Sequence, residues 1–394
     1  GGEACVIHVH NPTLGKNRAL SEALGILHAE GARLLLHVHD FAEDGRPELY
    51  CPHEYPSGCH YAVINRRDFR ILSSCGLREE GLHYIPDAVR PLRAPDPGRP
   101  PDPLRGSEGL VLYAARAIRR KNIGEAVLLS SFLPPGLTIG VTLEPTGTLD
   151  KRSLDDWKGF ARDAGLGVVF GLGRPEGIGE LAAAASAFVT TSVKEGFGLS
   201  FLEPWTAGKA LFGRRLDDVC ADFAEKGLRL EHLYRGIRVP LDTLDFGVFE
   251  RKWRRCYRER FRKYGIAPDG EKAEEFLSGL RAAGWVDFGM LSEDLQRGVI
   301  RKTLDDGRTR AALIENNPFL ARLFFDRAAF EIVEANRKIV MREFSLERTA
   351  ATLLEVYRKV SRGQVDHAID RNALVSAFNA PERNLLLLCP SSYE

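Results

Sequence analysis

The sequence predicts an α/β protein in which two doubly wound lobes are followed by a helical region. Three observations predict it. Short β-rich runs alternate with helix-spaced segments from Ala4 to Gly213. A proline-dense stretch interrupts that alternation once, since seven of the 21 prolines fall between Pro86 and Pro103. From Phe249 onward the pattern turns almost wholly helical. At 394 residues the chain has room for two or three domains.

In the first lobe, residues 4–10 (ACVIHVH) form a β-rich run. Residues 17–29 carry helical spacing through Leu20, Leu24 and Leu27 until Gly31 stops it. Residues 33–39 (RLLLHVH) read as a buried strand, 61–65 as a third, 68–74 as a short helix and 83–85 as a fourth strand. Such alternation gives a mainly parallel sheet with helices on its faces. The run Arg90-Pro-Leu-Arg-Ala-Pro-Asp-Pro-Gly-Arg-Pro-Pro cannot be helix or inner strand. It reads as a stiff linker, placed at 93–108.

The second lobe repeats the pattern. Strands are expected at 109–115, 137–143, 167–170, 187–191 and 210–213. Helices are expected at 123–133, 151–164, 178–185 and 199–207. This is a second doubly wound, Rossmann-like arrangement. Five helices follow, at 249–264, 271–283, 292–304, 318–339 and 346–361. The expected division is 1–92 for the first lobe, 93–108 for the linker, 109–363 for the second lobe with its helical extension, and 364–394 for a segment returning to the first lobe.

Composition excludes several classes. There are 55 Lys+Arg against 54 Asp+Glu, a net charge of +1, which argues against a nucleic-acid binder driven by bulk charge. Hydrophobic residues at 44% and charged residues at 28% fit an ordinary globular chain rather than a disordered one. No apolar run approaches the ~18 residues that span a bilayer. The chain opens with Gly1-Gly2 rather than Met, so the native N-terminus is expected to lie outside this sequence. The seven cysteines are odd in number, widely spaced and without a CxxC pair. That argues against a disulfide framework and for a reducing compartment. Cys51-Pro52-His53 with Cys59-His60 gathers soft ligands, but without paired short spacings it reads as a surface loop rather than a zinc site.

The most informative segment is Thr191-Ser-Val-Lys-Glu195-Gly-Phe-Gly-Leu-Ser-Phe-Leu-Glu203. It joins a strand to a helix at the carboxyl edge of the sheet, where open α/β folds bind ligands. Gly196 and Gly198 permit a tight turn and close backbone approach. The next helix would point the N–H groups of Leu199 and Ser200 at the same spot, an anion site suited to a diphosphate. Glu195 and Glu203 are acceptor-only carboxylates on either side of it, suited to hydroxyl-rich ligands.

This segment, with Ala207-Gly208-Lys209 after it, resembles the E-x7-E signature of retaining GT-B glycosyltransferases, chiefly family 4. The resemblance implies a GT-B fold, two Rossmann-like lobes facing a cleft. It implies that Glu195 holds donor-sugar hydroxyls and Glu203 the nucleotide ribose. The backbone of Phe197, Gly198, Leu199 and Ser200, with Gly196, would meet the sugar and diphosphate. In Tyr113-Ala-Ala-Arg116-Ala-Ile-Arg-Arg-Lys121-Asn122, Arg116 and Lys121 match the family's diphosphate clamp. Two such cations stabilise a leaving diphosphate and can stand in for a metal. Asn122 would cap the next helix.

The family often places a His at the end of an N-terminal strand near the reacting carbon, and His39 is the match, with His8 or His10 the nearest rival. The resemblance covers 109–245 well and 4–92 weakly. The family's opening strand and glycine-rich loop have no counterpart before residue 4, so several tens of residues of the first lobe are expected to be missing, about half a small domain.

The expected activity is therefore a retaining hexosyl transfer from a nucleoside-diphosphate sugar to an unidentified hydroxyl acceptor: small molecule, glycan or lipid. The alternative on the same architecture is a sugar phosphorylase or a nucleotide-sugar epimerase. No metal and no other cofactor are expected, because Arg116, Lys121 and the helix at Leu199 supply positive charge. No nucleic-acid partner is expected. The 251–264 segment carries eight cations and one acid beside an apolar stripe of Phe249, Trp253, Cys256, Tyr257, Phe261 and Tyr264. It reads as a packed amphipathic helix, with peripheral membrane contact as the sharper option. The expected location is the cytoplasm, extending to the inner face of a membrane under that option.

Overall fold

The computed structural model describes residues 5–51, 54–92, 109–173, 177–325 and 327–389. The 93–108 linker, and Pro52 and His53 of the Cys/His segment, lie outside them. The chain divides into two units. One comprises Gly1–Ala88, Arg255–Ala273 and Phe344–Asn384, and the other Val89–Arg254, Glu274–Glu343 and Leu385–Glu394. Both are α/β and built on parallel sheets, as the strand–helix alternation predicts.

The first unit opens with β1 (Val6–His10), α1 (Arg18–Ala29), β2 (Arg33–Val38), β3 (His60–Val63), α2 (Arg66–Ser74) and β4 (Leu82–Tyr84). The four strands are parallel and lie in chain order. Asn17 caps α1 by accepting the Ala19 N–H, and Asn65 caps α2 by accepting from Asp68.

The second unit holds β5 (Gly109–Arg116), α3 (Ile123–Ser130), β6 (Leu137–Leu143), α4 (Thr148–Asp163), β7 (Val168–Phe170), α5 (Ile178–Ala184), β8 (Ala187–Thr190), α6 (Glu203–Thr206), β9 (Leu211–Gly213) and α7 (Asp217–Glu225). Its parallel sheet runs β7-β6-β5-β8-β9. Strand order therefore reverses between β5 and β8, the topological switch point where doubly wound folds bind ligands.

Beyond these, β10 (Arg238–Pro240) pairs antiparallel with β11 (Trp285–Asp287), a ribbon the helical reading of this region missed. Three-residue strands carry too little alternation to be read from sequence. Helices α8 (Phe246–Tyr264) and α9 (Gly270–Ala283) lie between β10 and β11, and α10 (Glu293–Asp305), α11 (Gly307–Asn316), α12 (Arg327–Glu331) and α13 (Val333–Glu343) follow. The single helix expected at 318–339 is instead two short 3₁₀ turns, α12 and α13.

The chain then returns to the first unit. There α14 (Leu346–Val360) covers one sheet face, with Val356 and Val360 on Leu35, Ala62 and Ile85. On the other face, α15 (Arg371–Phe378) sets Leu374 and Phe378 among Leu34, Leu36, Val38, Tyr61 and Val63.

Two further expectations change. Cys256 and Cys389 are disulfide-bonded, where the cysteine pattern argued against a disulfide framework and for a reducing compartment; Cys5, Cys51, Cys59, Cys75 and Cys220 are free thiols. Cys59 and His60 are buried rather than on a surface loop, and burial pushes the Cys59 thiol up to about 12. The apolar stripe of α8 is buried as expected. Part of its basic face is consumed in ion pairs: Lys252 with Asp294, Arg254 with Glu250 and Glu274, Arg255 with Glu259. Among the described residues no helix is long and apolar enough to cross a membrane.

Candidate functional site

The loops after β5 and β8 leave the sheet side by side at the switch point, and hydrogen bonds stitch them together. Thr191 Oγ1 donates to the carbonyls of Lys121, at 2.9 Å, and Asn122, at 3.0 Å. The Tyr113 hydroxyl donates to the Lys121 carbonyl at 2.7 Å, and the Val193 N–H to the Arg120 carbonyl at 3.0 Å. Register shifts in β5 between Tyr113 and Arg116, and Arg119–Lys121 then forms a 3₁₀ turn. A three-residue turn swings consecutive side chains to different sides. Arg119 accordingly reaches Asp150, while Arg120 and Lys121 converge on Glu195.

Glu195 sits between these two cations, 7% exposed, with Arg120 Nη1 2.5 Å from its Oε2 and Lys121 Nζ on its Oε1. Burial opposes its ionisation, but Lys121, Arg120 and hydrogen bonds from Lys121 and Ser192 outweigh it and hold the carboxyl below its usual range. Burial and the Arg120 charge bring Lys121 below its usual value, with Glu195 opposing. Arg120 was not singled out from sequence; its signal was the unbroken Arg-Arg-Lys run after a strand. Arg116 lies on the same loop and donates to the Glu144 carbonyl at 3.1 Å, with no bond to Glu195.

The turn after Glu195 is set by Gly198, whose φ of +96° is left-handed. A Cβ there would lie 2.6 Å from Val219 Cγ1. Phe197 is buried edge-on against Phe223, centroids 5.6 Å apart, whereas the Leu199 side chain is exposed. The continuous helix expected from Leu199 is instead a 3₁₀ turn, Leu199–Phe201, followed by the short α6. Glu203 is thus the first residue of α6 rather than a turn inside a helix. Pro204 behind it suits a helix start. Burial raises the Glu203 carboxyl to about 7, against the pull of Lys121. The Ser200 Oγ is buried without a hydrogen-bond partner.

Asn122 does not cap α3 as expected. It takes a left-handed φ of 50°, donates to Glu125 at 2.7 Å and accepts from Gln296 of α10 at 2.9 Å. Glu125 in turn accepts from the Tyr234 hydroxyl at 2.7 Å and pairs with Arg214, which also holds Asp287. This buried network anchors the start of α3 and so the loop carrying Lys121.

In the first unit, His39 follows β2, half-buried, with Nδ1 3.7 Å from Asp87 and Nε2 2.9 Å from His10 Nδ1. Burial and neighbouring imidazoles lower His8 to about 4 and His37 to about 2. The sequence reading named no metal ligand; the structure nevertheless gathers His8, His10 and His37 within metal-binding reach.

No family model matches the chain. The chain is similar to mannosylglucosyl-3-phosphoglycerate synthase of Petrotoga mobilis, 27% identical over 335 residues, 75% of this chain and 62% of that relative. It therefore spans less than two thirds of the relative's length. Among solved structures it is similar to a glycosyltransferase from Rickettsia africae, with a TM-score of 0.51 and 12% identity over 90% of this chain and 76% of that one. It is also similar to sucrose-phosphate synthase from Thermosynechococcus elongatus, with a TM-score of 0.46 and 15% identity over 90% of this chain and 73% of that one. The Rickettsia likeness shows the fold, the one expected from the sequence: two Rossmann-like α/β units built on parallel sheets.

Proposed function

We propose that the chain transfers a sugar from a nucleoside-diphosphate sugar to a hydroxyl acceptor with retention of anomeric configuration. One observation carries the reading. Glu195, Arg120 and Lys121 converge on the loops flanking the β5–β8 switch point, on the segment that ends in Glu203. Ionised Glu195 accepts donor-sugar hydroxyls. Lys121 and Arg120, with Arg116 on the same loop, stabilise the diphosphate as the bond from the anomeric carbon to its oxygen breaks. The acceptor oxygen bonds to that carbon on the same face, and its proton passes to the departing diphosphate. Glu203 holds ribose hydroxyls, and the backbone of Gly196–Ser200 lines the sugar and diphosphate. His39 enters this reading through the family resemblance alone, and a His39→Ala variant tests it separately.

Leaving-group charge is met by side chains, so transfer should persist in chelator. Activity restored only by Mg²⁺ or Mn²⁺ would contradict this. The test of the whole reading is calorimetry with UDP-, GDP- and ADP-sugars, then mass spectrometry and anomeric NMR of products. The Petrotoga relative's name makes a small phosphorylated sugar-acid glycoside the first acceptor to try. Glu195→Gln should cut kcat by about 10²-fold, one transition-state contact in a closed site, with nucleoside diphosphate still binding. Glu203→Gln should mainly raise KM, as expected for contacts shared by ground and transition states. The reverse pattern would exchange the two roles, and no binding of any donor would reject the reading.

A further inference from the structure

One face of the first sheet carries four imidazoles from two adjacent strands. In the parallel β1–β2 pair His10 stands beside His37 and His8 beside Leu35, so His8, His10, His37 and His39 share a face. His8 Nε2 lies 3.2 Å from His37 Nδ1. One ring nitrogen each from His8, His10 and His37 fall within 4.8 Å of one another. Zinc bonds of 2.0–2.1 Å in a tetrahedral site put ligand nitrogens about 3.3 Å apart. The His8–His37 pair already has that spacing, and His10 needs a side-chain adjustment of about 1–2 Å to join it.

We propose that His8, His10 and His37 form a binding site for a late first-row divalent cation, zinc foremost, that pins β1 to β2. An all-nitrogen donor set selects zinc and its neighbours over Mg²⁺ or Ca²⁺, which take oxygen ligands. An outer partner is in place, since the Tyr357 hydroxyl of α14 lies 2.8 Å from His8 Nδ1. With His8 Nδ1 donating to that hydroxyl, Nε2 would offer its lone pair to the metal, and the proton that Nε2 and His37 Nδ1 share in their 3.2 Å hydrogen bond would leave on binding. His10 is exposed and gives the ion an entry from solvent, and the fourth position falls to water or to His39. In the described residues β1 pairs with β2, and a metal held by His8, His10 and His37 would add a side-chain bridge to that ladder. His8, His10 and His37 belong to the first unit and the donor-binding glutamates and cations to the second, and metal uptake is read without any donor, so its failure and that of the transfer reading are told apart.

The test uses the full chain, stripped with chelator and dialysed. Calorimetric titration with ZnCl₂ should show one equivalent bound, with micromolar affinity or tighter. Co²⁺ in place of zinc should give the strong visible absorption of a four-coordinate ion. Amide exchange across residues 6–10 should slow with zinc and not with Mg²⁺. His10→Gln, at an exposed position, should weaken uptake at least tenfold, and so should His8→Gln. His28→Gln on α1 should leave it unchanged. His37→Asn removes the buried ligand, and if it fails to fold, the His10 and His8 variants decide alone. No uptake by the parent, or undiminished uptake by both variants, overturns the proposal.

Discussion

At neutral pH the Glu203 carboxyl stands near the midpoint of its titration, because burial lifts it to about 7. The fold therefore holds a proton that the unfolded chain has already lost. Stability must fall as pH rises from the ordinary carboxyl value towards and through 7, by up to about 3 kcal/mol from this group. Glu203→Gln, which cannot ionise, should melt like the parent at pH 4.5 and above it at pH 8. The same titration bears on ligand affinity. Only the carboxylate accepts two ribose hydroxyls, so a nucleoside-diphosphate sugar should bind more tightly as pH rises through 7. Calorimetry at pH 6 and 8 should show that gain in the parent and not in the Gln variant. Both glutamates were legible as residues, from their spacing around two glycines. Their opposite environments were not. The cations beside Glu195 depend on a 3₁₀ turn that rotates Arg120 inward, a backbone choice that Arg-Arg-Lys does not encode on its face.

Most long elements with strong periodicity were readable almost to the residue, the segment expected as one helix at 318–339 being the exception. β6 spans Leu137–Leu143 as expected, and α1 starts right after the Asn17 cap. What escaped were elements whose form is fixed by packing: α6 cut short behind its 3₁₀ turn, and the β10–β11 ribbon. Gly213 at the end of β9 shows how tightly such joins are made. Its φ is +116°, and a Cβ would come within 2.0 Å of the Thr190 carbonyl oxygen on β8. Gly213→Ala must part these strands or change the backbone. It should destabilise by roughly 2–4 kcal/mol, read as a shift in the denaturant midpoint. The network after α3 gives a second case. Arg214 is 4% exposed and Glu125 fully buried, so Glu125→Ala removes one of the two carboxylates that hold a buried cation and leaves Asp287 alone with it. A loss of about 3–5 kcal/mol is expected, with weakened donor binding because α3 carries the Lys121 loop. Replacing Arg214 and Glu125 together by apolar residues should recover much of that loss, and a double-mutant cycle would show it.

For the molecule as a whole, the parallel sheets could be read from alternation, but the composition of the first unit could not. Three separated stretches build it, and the periodicity of α14 and α15 says only that they are amphipathic, not which sheet they cover. Cutting the chain after Glu343 should therefore bare the Leu35, Ala62 and Ile85 face of the sheet and strip α15 from the other face, which α1 and α2 still cover in part. Such a variant should aggregate or bind a hydrophobic dye, while full-length protein does neither. The same discontinuity matters during synthesis. Leu35, Ala62 and Ile85 leave the ribosome long before Val356 and Val360 exist to shield them. At ordinary translation speeds the interval between Ala88 and Phe344 lasts roughly 10–50 s. Through that wait the nascent strands offer a sticky apolar surface, so chaperone capture during elongation becomes a condition of yield. Ribosome profiling of chaperone-bound nascent chains should find engagement beginning after β4 emerges and ending only once α14 has cleared the exit tunnel.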